Sequence, residues 1–205
     1  METIEIEISP ERLAQNDEKK ARLQRTFAFE PTDRVPVMIN TLQWAELAAR
    51  GRTAKDFLAS PEANLREQIL NRKWKLENVP DDEPIPDRIC IEPDLGCLRG
   101  TEFDMEVTWL DDQPPKCDHP LTSLDDIDNL EVPEPGKGIN AKRLEWYYAM
   151  KEVAEDIRIT INGRPDYYNH HSNLLLKEDG LHSISSSCVY AIDLAISCAS
   201  VTEYS

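Results

Sequence analysis

Positive charge is scarce in this chain. Lysine and arginine number 23 against 39 aspartates and glutamates, a formal net charge of −16. A protein that holds nucleic acid through its phosphates needs a basic surface, so the balance argues against a nucleic-acid partner. It also disfavours an anionic membrane surface. Long apolar runs are missing too, since no stretch approaches the roughly 20 residues of a membrane-spanning helix. The opening M-E-T-I-E-I-E-I has none of the basic residues that begin a signal peptide. The cysteines, Cys90, Cys97, Cys117, Cys188 and Cys198, are odd in number and irregularly spaced, which argues against a disulfide framework. No glycine-rich phosphate loop, CxxC pair or Ser-His-Asp order is present. The expectation is a cytoplasmic protein with neither nucleic acid nor membrane as partner.

The chain's 205 residues suffice to bury a core, and they read as a single α/β domain. They are few for a complete (β/α)₈ barrel, typically about 250. The organising stretch is Thr32–Asn40, T-D-R-V-P-V-M-I-N. A charged turn leads into the apolar run Val35, Val37, Met38 and Ile39, which stops at Asn40. Such a run suits a strand buried on both faces of a parallel sheet, with Pro36 tolerated near its start. Chemistry in α/β folds sits just past the carboxyl ends of strands, where Asn40 would lie.

Two more short runs end the same way: Arg88–Glu92 closes on Glu92 and Ile157–Asn162 on Asn162. Helices are expected between them. Ser9-Pro10-Glu11 reads as a helix start, and the helix runs to about Phe27 with Leu13, Leu23 and Phe27 as its apolar side. Thr41 is placed to cap a helix that Gly51 ends. Thr53 and Ser60-Pro61-Glu62 open two more helices, the second carrying Leu65, Ile69, Leu70, Trp74 and Leu76 at helical spacing. Asn78–Pro86 is a proline-broken acidic loop. Phe103–Trp109 alternates strictly and reads as a half-exposed antiparallel strand. Ser123 caps a short helix, and Asn140 is placed to cap the helix of Leu144, Trp146, Tyr147, Met150 and Val153. Met1–Ile8 fits either an edge strand or a frayed arm. Strand–helix alternation predicts βαβ units and a parallel sheet.

Asn40, Glu92 and Asn162 are therefore candidate pocket residues, with Asp94 in the same I-E-P-D-L-G turn as Glu92. A strand-end carboxylate can accept a substrate hydrogen bond or act as a base. The competing reading is an ordinary solvated loop. Cys117 and His119 lie in a proline-flanked loop without a metal-binding signature.

The order of these features resembles the uroporphyrinogen decarboxylase superfamily, which includes corrinoid-dependent methyltransferases. The resemblance rests on R-L-Q-R-T-F-A-F-E-P-T-D-R-V-P-V, I-E-P-D-L-G, T-E-F-D-M-E-V-T-W, L-T-S-L-D-D-I-D-N-L-E-V-P-E-P and the Trp146 helix, in that order over about residues 9–162. It implies a TIM (β/α)₈-barrel-like fold. Residues 1–31 would form an N-terminal arm and helical extension, 32–162 the first barrel units, and 163–205 a tail similar to a later barrel segment. The barrel would be incomplete.

For function, the resemblance implies a methyltransferase-like enzyme binding a small ligand at the strand ends. Glu92 would be catalytic, with Asn40, Asp94 and Asn162 contacting substrate. Zinc would be held by His171, His182 and Cys188, a corrinoid (cobalamin) would donate the methyl group, and a corrinoid protein is the implied protein partner. Zinc coordination deprotonates a thiol at neutral pH, which is why that metal suits methyl transfer to sulfur. The alternatives are a uroporphyrinogen decarboxylase, that is, a porphyrin carboxy-lyase, and a shortened non-catalytic binding or assembly protein, for which a second copy of the chain is the expected partner. The decarboxylases carry arginines just after the first strand, whereas this chain has M-I-N-T-L-Q-W-A-E-L. A polycarboxylate substrate needs guanidinium forks.

Overall fold

The computed structural model of the chain describes residues 2–86, 89–96, 101–103, 105–118, 123–131, 133–134, 136–163 and 174–176. Helices dominate, and short strands are spread between them. In chain order the elements are β1 (Glu2–Ile6), α1 (Pro10–Ala14), α2 (Asn16–Phe27), α3 (Gln43–Ala49), α4 (Ala54–Phe57), α5 (Pro61–Asn78) and β2 (Ile89–Ile91). A 3-10 turn at Thr101–Phe103 precedes β3 (Val107–Thr108), β4 (Lys116–Cys117), α6 (Leu124–Asp128), α7 (Ile139–Ala154), β5 (Ile157–Ile161) and β6 (Leu174–Leu176). Among the described residues the strands make three two-stranded sheets: β1–β5, β2–β6 and β3–β4. The first is parallel and the last antiparallel. No described helix is long and apolar enough to cross a membrane. The chain divides into two units: Met1–Arg52 with Leu65–Ile91 and Glu152–Leu175, and Thr53–Asn64 with Glu92–Lys151 and Leu176–Ser205.

In the first unit, the opening residues are a paired strand and not a frayed arm. Ile4 and Ile6 alternate with Thr3 and Glu5, so one face is apolar and becomes buried. They sit opposite Ile159 and Ile161 of β5, which are buried too. Glu5, on the other face, accepts from the Thr160 hydroxyl and from the Gly163 N–H at 2.5 Å. Ile8, Leu47 of α3 and Leu65, Ile69 and Leu76 of α5 are buried in this unit too, with Val79, Ile85, Ile89 and Ile91.

Ser9 caps α1 as its sequence suggests, accepting from the Arg12 N–H at 3.3 Å, with Pro10 opening the helix. The expected single helix is broken at Gln15, and the side it buries differs from the expected one. Asn16 and Lys19 are its buried residues, while Phe27 is exposed. Asn16 is buried because its Oδ1 accepts from the Ile85 N–H at 2.8 Å. Helix α3 starts one residue after Leu42, and the Thr41 hydroxyl bonds Glu46 instead of capping. Its C-terminus closes with Gly51 at φ +71°, where the Arg52 N–H reaches the Leu47 carbonyl at 2.9 Å. That is a left-handed cap that glycine adopts without strain.

The largest departure is Thr32–Asn40, which is not a buried strand. Val35 is 80% exposed, Val37 57% and Met38 53%. The physical reason lies in the acidic loop after α5. Asp82 Oδ2 accepts from the Val37 N–H at 2.8 Å, Asp81 Oδ2 accepts from the Ile39 N–H at 2.9 Å, and the Asp82 N–H donates to the Val37 carbonyl at 2.8 Å. Side-chain carboxylates thus take the alternate donors that a neighbouring strand would otherwise pair.

In the second unit, Thr53 and Asp56 form a reciprocal capping box at the start of α4. Ser123 and Asp126 do the same for α6. Phe57, Leu95, Trp146, Tyr147 and Met150 are buried. The strand expected over Phe103–Trp109 shrinks to β3, with Phe103 closing the 3-10 turn before it. The Thr101 hydroxyl accepts from the Ile139 N–H at 3.0 Å, doing the capping expected of Asn140, which is buried within the first turn. Gly138 makes this approach possible. Its φ is +66°, and a Cβ there would lie 2.6 Å from the Thr101 carbonyl carbon and 2.7 Å from the Glu102 nitrogen.

Candidate functional site

Glu92 follows β2 directly and is half-buried. The turn it opens is held by helix α5: buried Asn64 donates its Nδ2 to the Asp94 carbonyl at 2.7 Å and accepts from the Asp94 N–H at 3.3 Å. Asp94 Oδ1 accepts from the Gly96 N–H at 2.8 Å, folding the turn back on itself. Arg143 of α7 donates to the Pro93 carbonyl at 3.1 Å. Two half-buried carboxylates therefore sit on a short loop whose backbone is tied down by an amide and a guanidinium. Such a loop can hold a proton acceptor in a defined place.

The other predicted strand ends belong to the first unit. Asn40 is exposed beyond the segment held by Asp81 and Asp82. Asn162, at φ +48°, extends the β1–β5 ladder beyond its last backbone pair. Its N–H reaches the Ile6 carbonyl at 3.0 Å, its Oδ1 accepts from the Ile8 N–H at 2.8 Å, and its Nδ2 donates to the Ile8 carbonyl at 2.6 Å. The side chain thus imitates a further strand residue, and its amide is spent on Ile8. No hydrogen bond joins Asn40 to Asn162. Cys117 lies in β4 and forms no disulfide among the described residues, and His119 lies outside them.

The zinc candidates His171, His182 and Cys188, and most of the tail around them, also lie outside the described residues. Among the described residues, no group of three or more histidines, cysteines, aspartates or glutamates is placed to hold a metal ion.

The densest charge arrangement was not among the expected sites. It gathers on the acidic loop, which by sequence alone is a solvated connection. Asp82 is only 3% exposed and accepts four hydrogen bonds. Arg34 grips it with both guanidinium nitrogens at 2.5 Å, Arg22 Nη1 reaches it at 2.9 Å, and the Val37 N–H completes the set. The Arg34 fork is the main cause that holds the Asp82 carboxyl down at about 2, against the upward push of burial, with the Val37 N–H and Arg22 adding to it. Arg22 also forks onto Asp33 at 2.8 and 2.9 Å, which lowers the Asp33 carboxyl. Neighbouring Glu83 accepts from Arg72 at 2.6 Å and from Lys75. Burial pushes its carboxyl up, but these two cations outweigh it and the net shift is downward.

Beside this node lies a pocket of about 230 Å³, lined by Arg12, Lys19, Arg34, Asp81, Asp82 and the apolar edge of Val37, Ile39 and Pro80, among others. Arg12 donates to the Leu76 and Val79 carbonyls at 2.5 and 2.9 Å, satisfying the end of α5. The D-R-V-P stretch and the P-D-D-E loop could have been paired by their charges. Their sequence separation of nearly fifty residues hid it.

No family model matches the chain, and neither a curated protein nor a solved structure matches it.

Proposed function

We propose that the chain is a small-molecule enzyme of the uroporphyrinogen decarboxylase superfamily, closer to its corrinoid-dependent methyltransferases than to its decarboxylases. The sequence support is the family order of five stretches and the lack of arginine over residues 38–47. The observation that carries the reading is the Glu92–Gly96 turn. It places a half-buried carboxylate immediately after a strand, on a loop pinned by Asn64 and Arg143. In this reading Glu92 accepts a proton from the reacting substrate and Asp94 contacts it. Zinc, a corrinoid and a corrinoid protein partner enter through the resemblance alone, and self-association through the shortened, non-catalytic alternative. A corrinoid would supply the methyl group. A cytoplasmic setting and the lack of a nucleic-acid partner are supported by the disulfide-free Cys90 and Cys117 and by the net charge of −16.

The test combines three measurements. Methylcobalamin added to the protein with a small thiol should lose its methyl–cobalt absorbance, and elemental analysis should find zinc. Glu92→Gln should slow the loss by about a hundredfold or more, the usual contribution of a positioned acid or base. Carbon dioxide release from uroporphyrinogen with no cobalamin response would assign the chain to the decarboxylases. Inactivity in both assays, without zinc or cobalamin binding, would leave a binding or assembly role.

A further inference from the structure

The pocket beside Asp82 contains a charge that the fold leaves unanswered. Lys19 lines it and is only 7% exposed, yet among the described residues its ammonium makes no hydrogen bond and no ion pair. An ammonium carries three donors, and the Lys19 stem is buried while its nitrogen opens onto the pocket, where those donors are available to a ligand. Asp81 and Asp82 act on it only as charges at a distance, because their oxygens are committed elsewhere. Asp81 accepts from the N–H groups of Ile39 at 2.9 Å and Glu83 at 3.1 Å. Asp82 accepts from Arg22, Arg34 and Val37. Arg12 on the same wall spends its guanidinium on the end of α5.

We propose that this pocket binds a small monocarboxylate, with the Lys19 ammonium as its ionic anchor and Val37, Ile39 and Pro80 against its short apolar body. Charge selects the class. Arg34 and Asp82 neutralise each other through a two-pronged pair, so Arg12 and Lys19 face Asp81 alone, an excess of one positive charge. One negative charge balances that excess, whereas a phosphate dianion would leave the pocket with a net negative charge. Volume selects the size. About 230 Å³ is below the roughly 300 Å³ at which pockets for drug-sized ligands begin. Burial, and next the Arg12 charge, lower the Lys19 amine, with Arg22 adding to this and Asp81 and Asp82 opposing it. A bound carboxylate would reverse that shift. This site lies wholly in the first unit and stands apart from the Glu92 reading.

Titration calorimetry at pH 7 in a carboxylate-free buffer tests it, with butyrate, butanol and inorganic phosphate as probes on the full chain. The expected result is saturable one-to-one binding of butyrate and none of butanol. Lys19→Met should weaken butyrate at least tenfold while keeping the thermal midpoint, because methionine keeps the buried stem and the lost ammonium held no hydrogen bond or ion pair in the fold. Val37→Asp, at a position that is largely exposed and so tolerant of change, should also weaken butyrate by adding a repelling charge to the rim. In the wild type, side-chain NMR should show the Lys19 titration moving upward when butyrate is added, a readout that needs no variant. Butyrate binding unchanged in Lys19→Met, no binding at all, or phosphate binding more tightly than butyrate would each overturn the proposal.

Discussion

Replacing Asp82 with asparagine removes the charge on which the first unit's extended segment is built, with almost no change in shape. In the wild type the carboxylate answers Arg34 at 2.5 Å and Arg22 at 2.9 Å and accepts from the Val37 N–H at 2.8 Å. Its carboxyl is held at about 2, against the ordinary 3.8. A group whose folded value lies below its unfolded value contributes stability that is fully present above pH 3.8. That contribution drains away as pH falls through about 2. At about 1.4 kcal/mol per unit the shift would correspond to somewhat over 2 kcal/mol. Arg34 is half in solvent, so screening reduces this to about 1–2 kcal/mol. Asp82→Asn should lose that amount at pH 7 and somewhat more, because Arg22, with its side chain only 11% exposed, is left without this partner. The assay is denaturant unfolding at pH 7 and pH 2.5, read together with hydrogen exchange at the Val37 amide. Wild type and variant should differ by about 2–3 kcal/mol at pH 7, and the gap should shrink to about 1 kcal/mol at pH 2.5, closing only below about pH 2 where the folded carboxyl protonates. Equal stability at pH 7, or a gap that persists undiminished in acid, would refute the reasoning.

Three further substitutions probe other joints of the fold. Gly138→Ala forces a side chain into a left-handed conformation and against the Thr101 backbone at 2.6 Å, so a loss of about 2–3 kcal/mol is expected in thermal unfolding, and an unchanged midpoint would count against the contact. Asn162→Ala removes both side-chain bonds to Ile8 and should cost about 1–3 kcal/mol, with the Ile8 amide losing its exchange protection; protection equal to wild type would show that the side chain is not part of the ladder. Ile69→Ala empties a fully buried position on α5 and should cost about 2–5 kcal/mol in denaturant unfolding, whereas a loss below about 1 kcal/mol would mean the site is not core.

Local chemistry made much of the helical skeleton legible. Ser9, Thr53, Ser60 and Ser123 each accept from a backbone N–H three residues on, as serine and threonine do at helix starts wherever the rest of the chain goes. Of the apolar positions read on α5, Leu65, Ile69 and Leu76 are buried, while Leu70 and Trp74 are only half-buried. That helix also buries Asn64, Glu67 and Asn71, which no apolar pattern marks. Their burial depends on partners at a distance in sequence. Arg50 supplies one at 2.5 Å to Glu67, and the Phe57 and Asp94 carbonyls supply others to Asn64.

The candidate sites divide along the same line. The strand and turn that carry Glu92 and Asp94 were legible because both are written in adjacent residues. The charge node was not, since Arg34 and Asp82 are 48 positions apart and only the folded chain brings them together. The same applies to Lys19, which on a mostly charged helix looks like one more solvated residue.

Thr32–Asn40 shows the boundary most clearly. Composition and the order of residues determined that this chain would alternate helices with short strands, and where most of its helices would begin. They also favour an extended backbone over Val35–Ile39, through proline and β-branched residues, which by itself does not make the segment a strand. What the extended segment pairs with is a long-range matter. Tertiary structure decided that its donors go to Asp81 and Asp82 instead of to another strand, because a hydrogen-bond donor is satisfied by whichever acceptor the fold brings within 3 Å.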